Sequence, residues 1–210
     1  MTAQVKIFGP TFSTFVRSVM MACEEKHISY EVSNHIDGQE VAFKSDQHRE
    51  LHPYLKYPVL LTEHGPIAET ITILHYLDRL DGEAVLFPGD SYEQAYVEQW
   101  SGIVAIYIDQ AIVRNLLLEF AFPKGEGGTV RQDKVEEAMP EVRRALAVLS
   151  EQLQGKAYLC GDQFTAADLI LIPILDYLVK IPLPIMAEFP SLLEYQENMN
   201  DRDTVRSVLG

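Results

Sequence analysis

Tyr57-Pro58-Val59-Leu60-Leu61-Thr62-Glu63-His64-Gly65-Pro66-Ile67-Ala68-Glu69-Thr70 is the stretch that decides the fold. Val59 to Leu61 are β-type residues after a proline. His64-Gly65 is a turn signal, and Pro66-Ile67-Ala68 returns as a second short strand. Glu69-Thr70 then opens a segment in which Ile73, Leu74, Leu77 and Leu80 share one helical face. Thr70 is the expected N-cap of that helix, with its hydroxyl among unpaired N–H groups. Strand, turn, strand and helix start thus fall in one small volume, and a helix N-terminus attracts anions. The residue before Pro58 must be extended or in a turn, which leaves the Tyr57 N–H and C=O open to another partner.

Upstream, Ala3 to Phe8 alternate and read as a strand that Gly9-Pro10 ends. Ser13 or Thr14 caps a helix with Val16, Met20, Cys23 and His27 on one stripe. Ile28, Tyr30 and Val32 alternate again. A β-α-β order over so short a span requires a parallel pair with a right-handed crossover. Residues 34 to 52 are polar and weakly patterned, a loop with an irregular helix. Residues 1–80 therefore read β-α-β-α-β-β-α.

Residues 81–90, Asp-Gly-Glu-Ala-Val-Leu-Phe-Pro-Gly-Asp, have the composition of a linker. Residues 91–210 show only helices. Tyr96, Trp100, Ile103, Tyr107, Ala111 and Arg114 mark a long first one to about residue 120. Residues 129 to 153 form the next, with a kink or break expected at Pro140. Thr165 and Asp168 have capping-box spacing before Leu169 to Ile174, a run apolar on all sides that must be buried. Two short helices, near 191 to 199 and 201 to 209, follow Pro182 and Pro184.

The bulk numbers exclude several functions. The chain has 210 residues, 47% of them hydrophobic, and a net charge of −14. Binding phosphates needs a basic face, which so acidic a balance gives no reason to expect, so neither a nucleic-acid partner nor docking on an anionic membrane is expected. No run reaches the roughly 18 to 20 apolar residues of a membrane span. The N-terminal residues show no basic-then-apolar leader. Two cysteines and six scattered histidines give no disulfide framework and no metal spacing. A soluble, cytoplasmic protein without a metal is the expectation.

Gly9-Pro10-Thr11-Phe12-Ser13-Thr14-Phe15-Val16-Arg17 resembles the first loop and helix of serine-type glutathione S-transferases. Glu24 to Glu31 resembles that family's passage from first helix to second strand. Tyr158 to Asp168 resembles its buried capping motif, and the Tyr57-Pro58 and Glu69-Thr70 pairs stand in register with both. The resemblance covers nearly the whole chain. It implies a thioredoxin-like N-terminal domain (α/β) followed by an all-α C-terminal domain.

The resemblance also implies a site. Ser13 would stabilise the thiolate of glutathione, the co-substrate; read alone, it is equally a plain N-cap. Pro58 would be cis, and the Tyr57 backbone would pair with the cysteinyl unit. Glu69 and Thr70 would hold the γ-glutamyl end. Lys56 would take the glycyl carboxylate, with Lys44, His48 and His52 as weaker choices. A small hydrophobic electrophile would lie between the domains, against Phe12, Ile103, Tyr107, Gln110 and Arg114. Arg17 reads as structural or interfacial, Cys23 as core and Asp168 as a buried cap. A homodimer is implied. Three activities fit: conjugation, glutathione-dependent isomerisation or peroxide reduction, and a retired site in a protein-binding module.

Overall fold

The computed structural model describes residues 5–36, 38–80 and 82–210. Ala3 and Gln4 of the expected first strand, and Asp81 at the start of the expected linker, lie outside them. Among the described residues six strands occur in order: β1 Val5–Phe8, β2 Tyr30–Ser33, β3 His35–Ile36, β4 Gln39–Glu40, β5 Val59–Thr62 and β6 Gly65–Ala68. Helices α1 Thr14–Glu25, α2 Asp46–Leu51 and α3 Thr70–Leu80 alternate with them. The main sheet runs β2-β1-β5-β6. β1 and β2 are parallel, as the crossover demands, and β5 and β6 form an antiparallel hairpin. The tiny β3–β4 hairpin lies within the stretch read as a loop. Two-residue strands are too short for period-2 alternation to show.

The register fixes where the loops go. Phe8 pairs with Val59, and Val59 pairs with Ala68. The end of β1, the start of β5 and the end of β6 therefore lie side by side. The loop after Phe8, the Tyr57-Pro58 pair and the start of α3 all leave the sheet at one edge.

The rest of the chain is helical. α4 (Ser91–Ile103) continues without a break into a π-type stretch, Val104–Leu117, and a last turn, α5 (Leu118–Ala121). Then come α6 Gln132–Gln152, α7 Ala166–Lys180, α8 Pro190–Asn200 and α9 Asp203–Leu209. The π-type stretch corrects the stripe expected along this helix. Its hydrogen bonds skip one residue more per turn than in an α-helix. A row read at the α-period therefore mixes faces: Tyr107 is 68% exposed, while Trp100 and Ala111 are buried. Pro140 does not interrupt α6 either. It stands on the exposed face, where water can reach the carbonyl that its missing N–H leaves unbonded.

α7 is buried along most of its length and packs against α1, α4 and the π-type stretch. Its N-terminus carries the expected capping box between Thr165 and Asp168. The segment from 83 to 87 is tightly held. The Asp78 carboxylate accepts from the N–H groups of Val85, Leu86 and Phe87 at 2.8, 3.0 and 3.0 Å. Lys26 adds a 3.5 Å ion pair to Asp78 from α1. Leu86 and Phe87 are thereby drawn into the core.

Candidate functional site

The loop after β1 turns at Gly9, whose φ is +147°. A Cβ there would come within 2.7 Å of Val16 and 3.1 Å of the Tyr57 ring, so only glycine lets these three segments close. Ser13 is the N-cap of α1, and its Oγ accepts from the Val16 N–H at 3.5 Å. That bond is long, and the hydroxyl hydrogen remains available for a second partner. The loop is pinned to α7. Tyr177 donates to the Phe12 carbonyl at 2.8 Å. Arg17 donates to the Thr11 carbonyl at 2.9 Å, pairs with Asp176 at 3.3 Å and lies over the Tyr177 ring. Arg17 is thus interfacial, as expected.

The Tyr57-Pro58 peptide bond is cis. Among the described residues nothing bonds the Tyr57 backbone N–H or C=O. The Tyr57 ring stacks on His48 at 4.7 Å and on the exposed Phe43 at 5.6 Å, with Phe8 at 5.3 Å. These rings cover a small cluster of Phe8, Val41 and Val59 beneath the loop.

His48 is fully buried. Its Nδ1 accepts from the Lys44 N–H at 3.3 Å, and its Nε2, which must then carry the proton, faces the Lys56 carbonyl at 3.1 Å. Both nitrogens are occupied by backbone, so His48 cannot itself reach a ligand. It ties together the segments that carry the exposed Lys44 and Lys56. His52 is also withdrawn, at 3% exposure. Burial lowers its pKa, although Glu69 pulls the other way. Neither burial was legible, because residues 44 to 56 lack a periodic pattern.

Thr70 is the first residue inside α3 rather than its cap. Glu69 holds the cap position with a left-handed φ of +70°, and its carbonyl accepts from Ile73 at 2.9 Å. Glutamate has no short side chain to fold back, so no side chain caps the first amides of α3 among the described residues. The Thr70 hydroxyl has no partner among them either, and the Glu69 carboxylate is exposed.

The residues expected to wall a second substrate divide. Phe12, 57% exposed, meets Phe122 edge-on at 6.0 Å. Phe122 follows α5 and was missed, because an aromatic before Pro123 reads as a helix end. Ile103 is half-buried. Gln110 bonds Asn115 at 2.9 Å and Arg114 bonds Asp109 at 2.7 Å, both five residues apart in the π-type ladder. Those polar ends are turned along their own helix. Burial raises the pKa of Asp109; Arg114 opposes this, as does the charge of Lys56. No group of three or more metal-ligating side chains occurs among the described residues. No helix among them is long and apolar enough to cross a membrane.

Comparison with known proteins places two family models on the chain: "Glutathione S-transferase, N-terminal domain" over residues 7–84 and "Glutathione S-transferase, C-terminal domain" over residues 106–203. A "Glutathione S-transferase" of Pseudomonas putida is 29% identical over 210 residues, covering 98% of this chain and 91% of that protein. A "Probable elongation factor 1-gamma 2" of Arabidopsis thaliana is 29% identical over 172 residues, 81% of this chain but only 40% of that protein. A solved theta-class glutathione S-transferase of Xanthomonas axonopodis pv. citri, with glutathione bound, superposes with a TM-score of 0.85 at 20% identity, over 99% of this chain and 98% of that one.

Proposed function

The chain belongs to the glutathione S-transferase family, and from that premise we propose that it binds glutathione along the edge of its sheet and adds the thiolate to a small hydrophobic electrophile. One observation carries this reading. The strand register brings together three sets of groups with no partner among the described residues: the Ser13 hydroxyl hydrogen, the Tyr57 backbone and the first amides of α3. They match the thiol, the cysteinyl backbone and the γ-glutamyl carboxylate of the tripeptide.

The roles follow from chemistry. A free thiol ionises near 8.5, so about a few per cent is thiolate at pH 7. The N-terminus of α1 favours the anion by about 0.3 to 1 kcal/mol, up to about 2 when partly buried. A hydrogen bond from Ser13 to a charged sulfur contributes about 1.5 to 3 kcal/mol. Each pKa unit is about 1.4 kcal/mol, so together the two favour the thiolate by about one to three and a half units, and the cost of desolvating the anion brings the net lowering to about one to two. Ser13 is an electrostatic partner and forms no covalent bond. Tyr57 extends the sheet by one residue pair, a short form of strand addition. Thr70 and the free amides of α3 hold the γ-glutamyl carboxylate, and Glu69 holds its ammonium. Lys56, with Lys44 beside it, takes the glycyl carboxylate, and His48 sets the spacing of the two. The electrophile stands between Phe12 and the helix carrying Ile103, Tyr107, Gln110 and Arg114, with proximity supplying the rest of the rate.

We take residues 1–80 as the glutathione-binding domain, 81–90 as the linker and 91–210 as the helical domain. The working form is a two-fold cytoplasmic dimer, the commonest soluble assembly. The similarity to part of an elongation factor keeps a binding module as the second reading. Retention on immobilised glutathione, elution by free glutathione and turnover of an activated aromatic chloride support conjugation. Retention without turnover favours isomerase or peroxidase chemistry, to be assayed next, and no retention favours the binding module.

A further inference from the structure

We propose that His52 is a positioning residue that aims the Glu69 carboxylate at the γ-glutamyl ammonium of glutathione, an assignment that rests on the glutathione reading above. His52 closes α2 and precedes Pro53; its own N–H donates to the His48 carbonyl at 2.9 Å. Its Nδ1 accepts from the Tyr54 N–H at 3.2 Å. The neutral ring must therefore carry its proton on Nε2. That nitrogen lies 3.5 Å from the Glu69 Oε1, with the histidine side chain 3% exposed and the glutamate 74% exposed.

The asymmetry of this pair gives it a direction. A glutamate so exposed, on a left-handed backbone, would sample many rotamers if left alone. The imidazole is fixed from below by Tyr54 and by burial, and its Nε2 stands 3.5 Å from one carboxylate oxygen. The carboxylate itself stays open to solvent and so to a cation. The charged and titratable groups acting on His52 are Glu69 from the start of α3, His48 from α2 and Lys56 from the approach to β5. Burial first, and then His48 and Lys56, keep the ring neutral, while Glu69 alone favours its charge. A neutral donor orients Glu69 without cancelling the negative charge that the ammonium needs.

The test is equilibrium binding of two ligands, glutathione and its desamino analogue glutaryl-cysteinyl-glycine, to the wild type, His52→Leu, His52→Asn and Glu69→Gln. The wild type should prefer glutathione by about tenfold, the scale of one charge-assisted hydrogen bond. His52→Leu should lose most of that preference and bind the analogue about as before. Glu69→Gln should lose the same preference, and combining it with His52→Leu should lose no more. His52→Asn, which keeps an N–H donor, should recover part of it, and it carries the comparison if His52→Leu fails to fold. Equal weakening of both ligands by His52→Leu would reduce His52 to packing and overturn the assignment. Equal binding of both ligands by the wild type would also overturn it and leave the thiolate reading intact. A wild type that binds neither would overturn both.

Discussion

Replacing Asp168 with alanine should cost about 3 to 5 kcal/mol of folding stability, the usual range for breaking a buried charged network. Asp168 is fully buried at the start of α7. It accepts from the Leu159 N–H at 2.8 Å, the Thr165 N–H at 2.9 Å, the Thr165 hydroxyl at 3.1 Å and the Tyr195 hydroxyl at 2.7 Å. Burial pushes its pKa up, and these donors pull it down. The Thr165 hydroxyl can rotate to another acceptor. The two backbone N–H groups and the Tyr195 hydroxyl cannot, and each buried donor left unpaired costs about 1 to 3 kcal/mol. Relief of the carboxylate's own burial offsets part of the sum. Tyr195 comes from α8 and Leu159 from the turn before α7, so the loss loosens three segments at once. Urea unfolding at fixed protein concentration reads the difference from the midpoint, provided the slope is unchanged. A change below about 1 kcal/mol would refute the reasoning, because it would mean the donors find other partners.

Glu119 accepts from the Arg131 guanidinium at 2.6 and 3.1 Å and from the Arg131 N–H at 3.0 Å. Arg131 lowers its pKa from 4.5 to about 2. A carboxylate depressed in the fold contributes stability that is whole above its unfolded pKa and is lost as pH falls toward its folded one. The gap in unfolding midpoint between wild type and Glu119→Gln should therefore shrink as pH drops from about 5 to about 2. Burial pushes the thiols of Cys23 and Cys160 up to about 12. A thiol reagent at pH 8 should label neither at the rate seen after unfolding, since the thiolate is the nucleophile. His48→Leu keeps the bulk but leaves the Lys44 N–H and Lys56 carbonyl unpaired. It should cost about 1 to 3 kcal/mol of stability and raise KM for glutathione more than it lowers kcat.

The architecture was largely legible because strong local signals agreed with one another. Gly9-Pro10, the β-type run after Pro58 and the Thr165–Asp168 box each mark a boundary by backbone chemistry, and the structure keeps all of them. Thr70 was misread by one residue. An N-cap preference cannot foresee that Glu69 adopts a left-handed backbone. The outward placement of Tyr107 was not legible, because nothing in a sequence announces a π-type ladder. His48 and His52 looked like surface ligands in a polar stretch. Their burial depends on Tyr57, Phe8 and Glu69, which are distant in sequence or joined only through the sheet. Phe122 met Phe12 across more than a hundred residues, beyond the reach of any periodic pattern.

The central claim is that Ser13 and the start of α1 stabilise a glutathione thiolate. The most direct test is a pH titration of thiolate absorbance for glutathione bound to the wild type and to Ser13→Ala. The wild type should show a thiol pKa about one to two units below the free value of roughly 8.5, with Ser13→Ala returning most of the way and glutathione affinity little changed. Identical titrations for the two proteins would contradict the role given to Ser13. An unshifted thiol in the wild type would contradict the account as a whole.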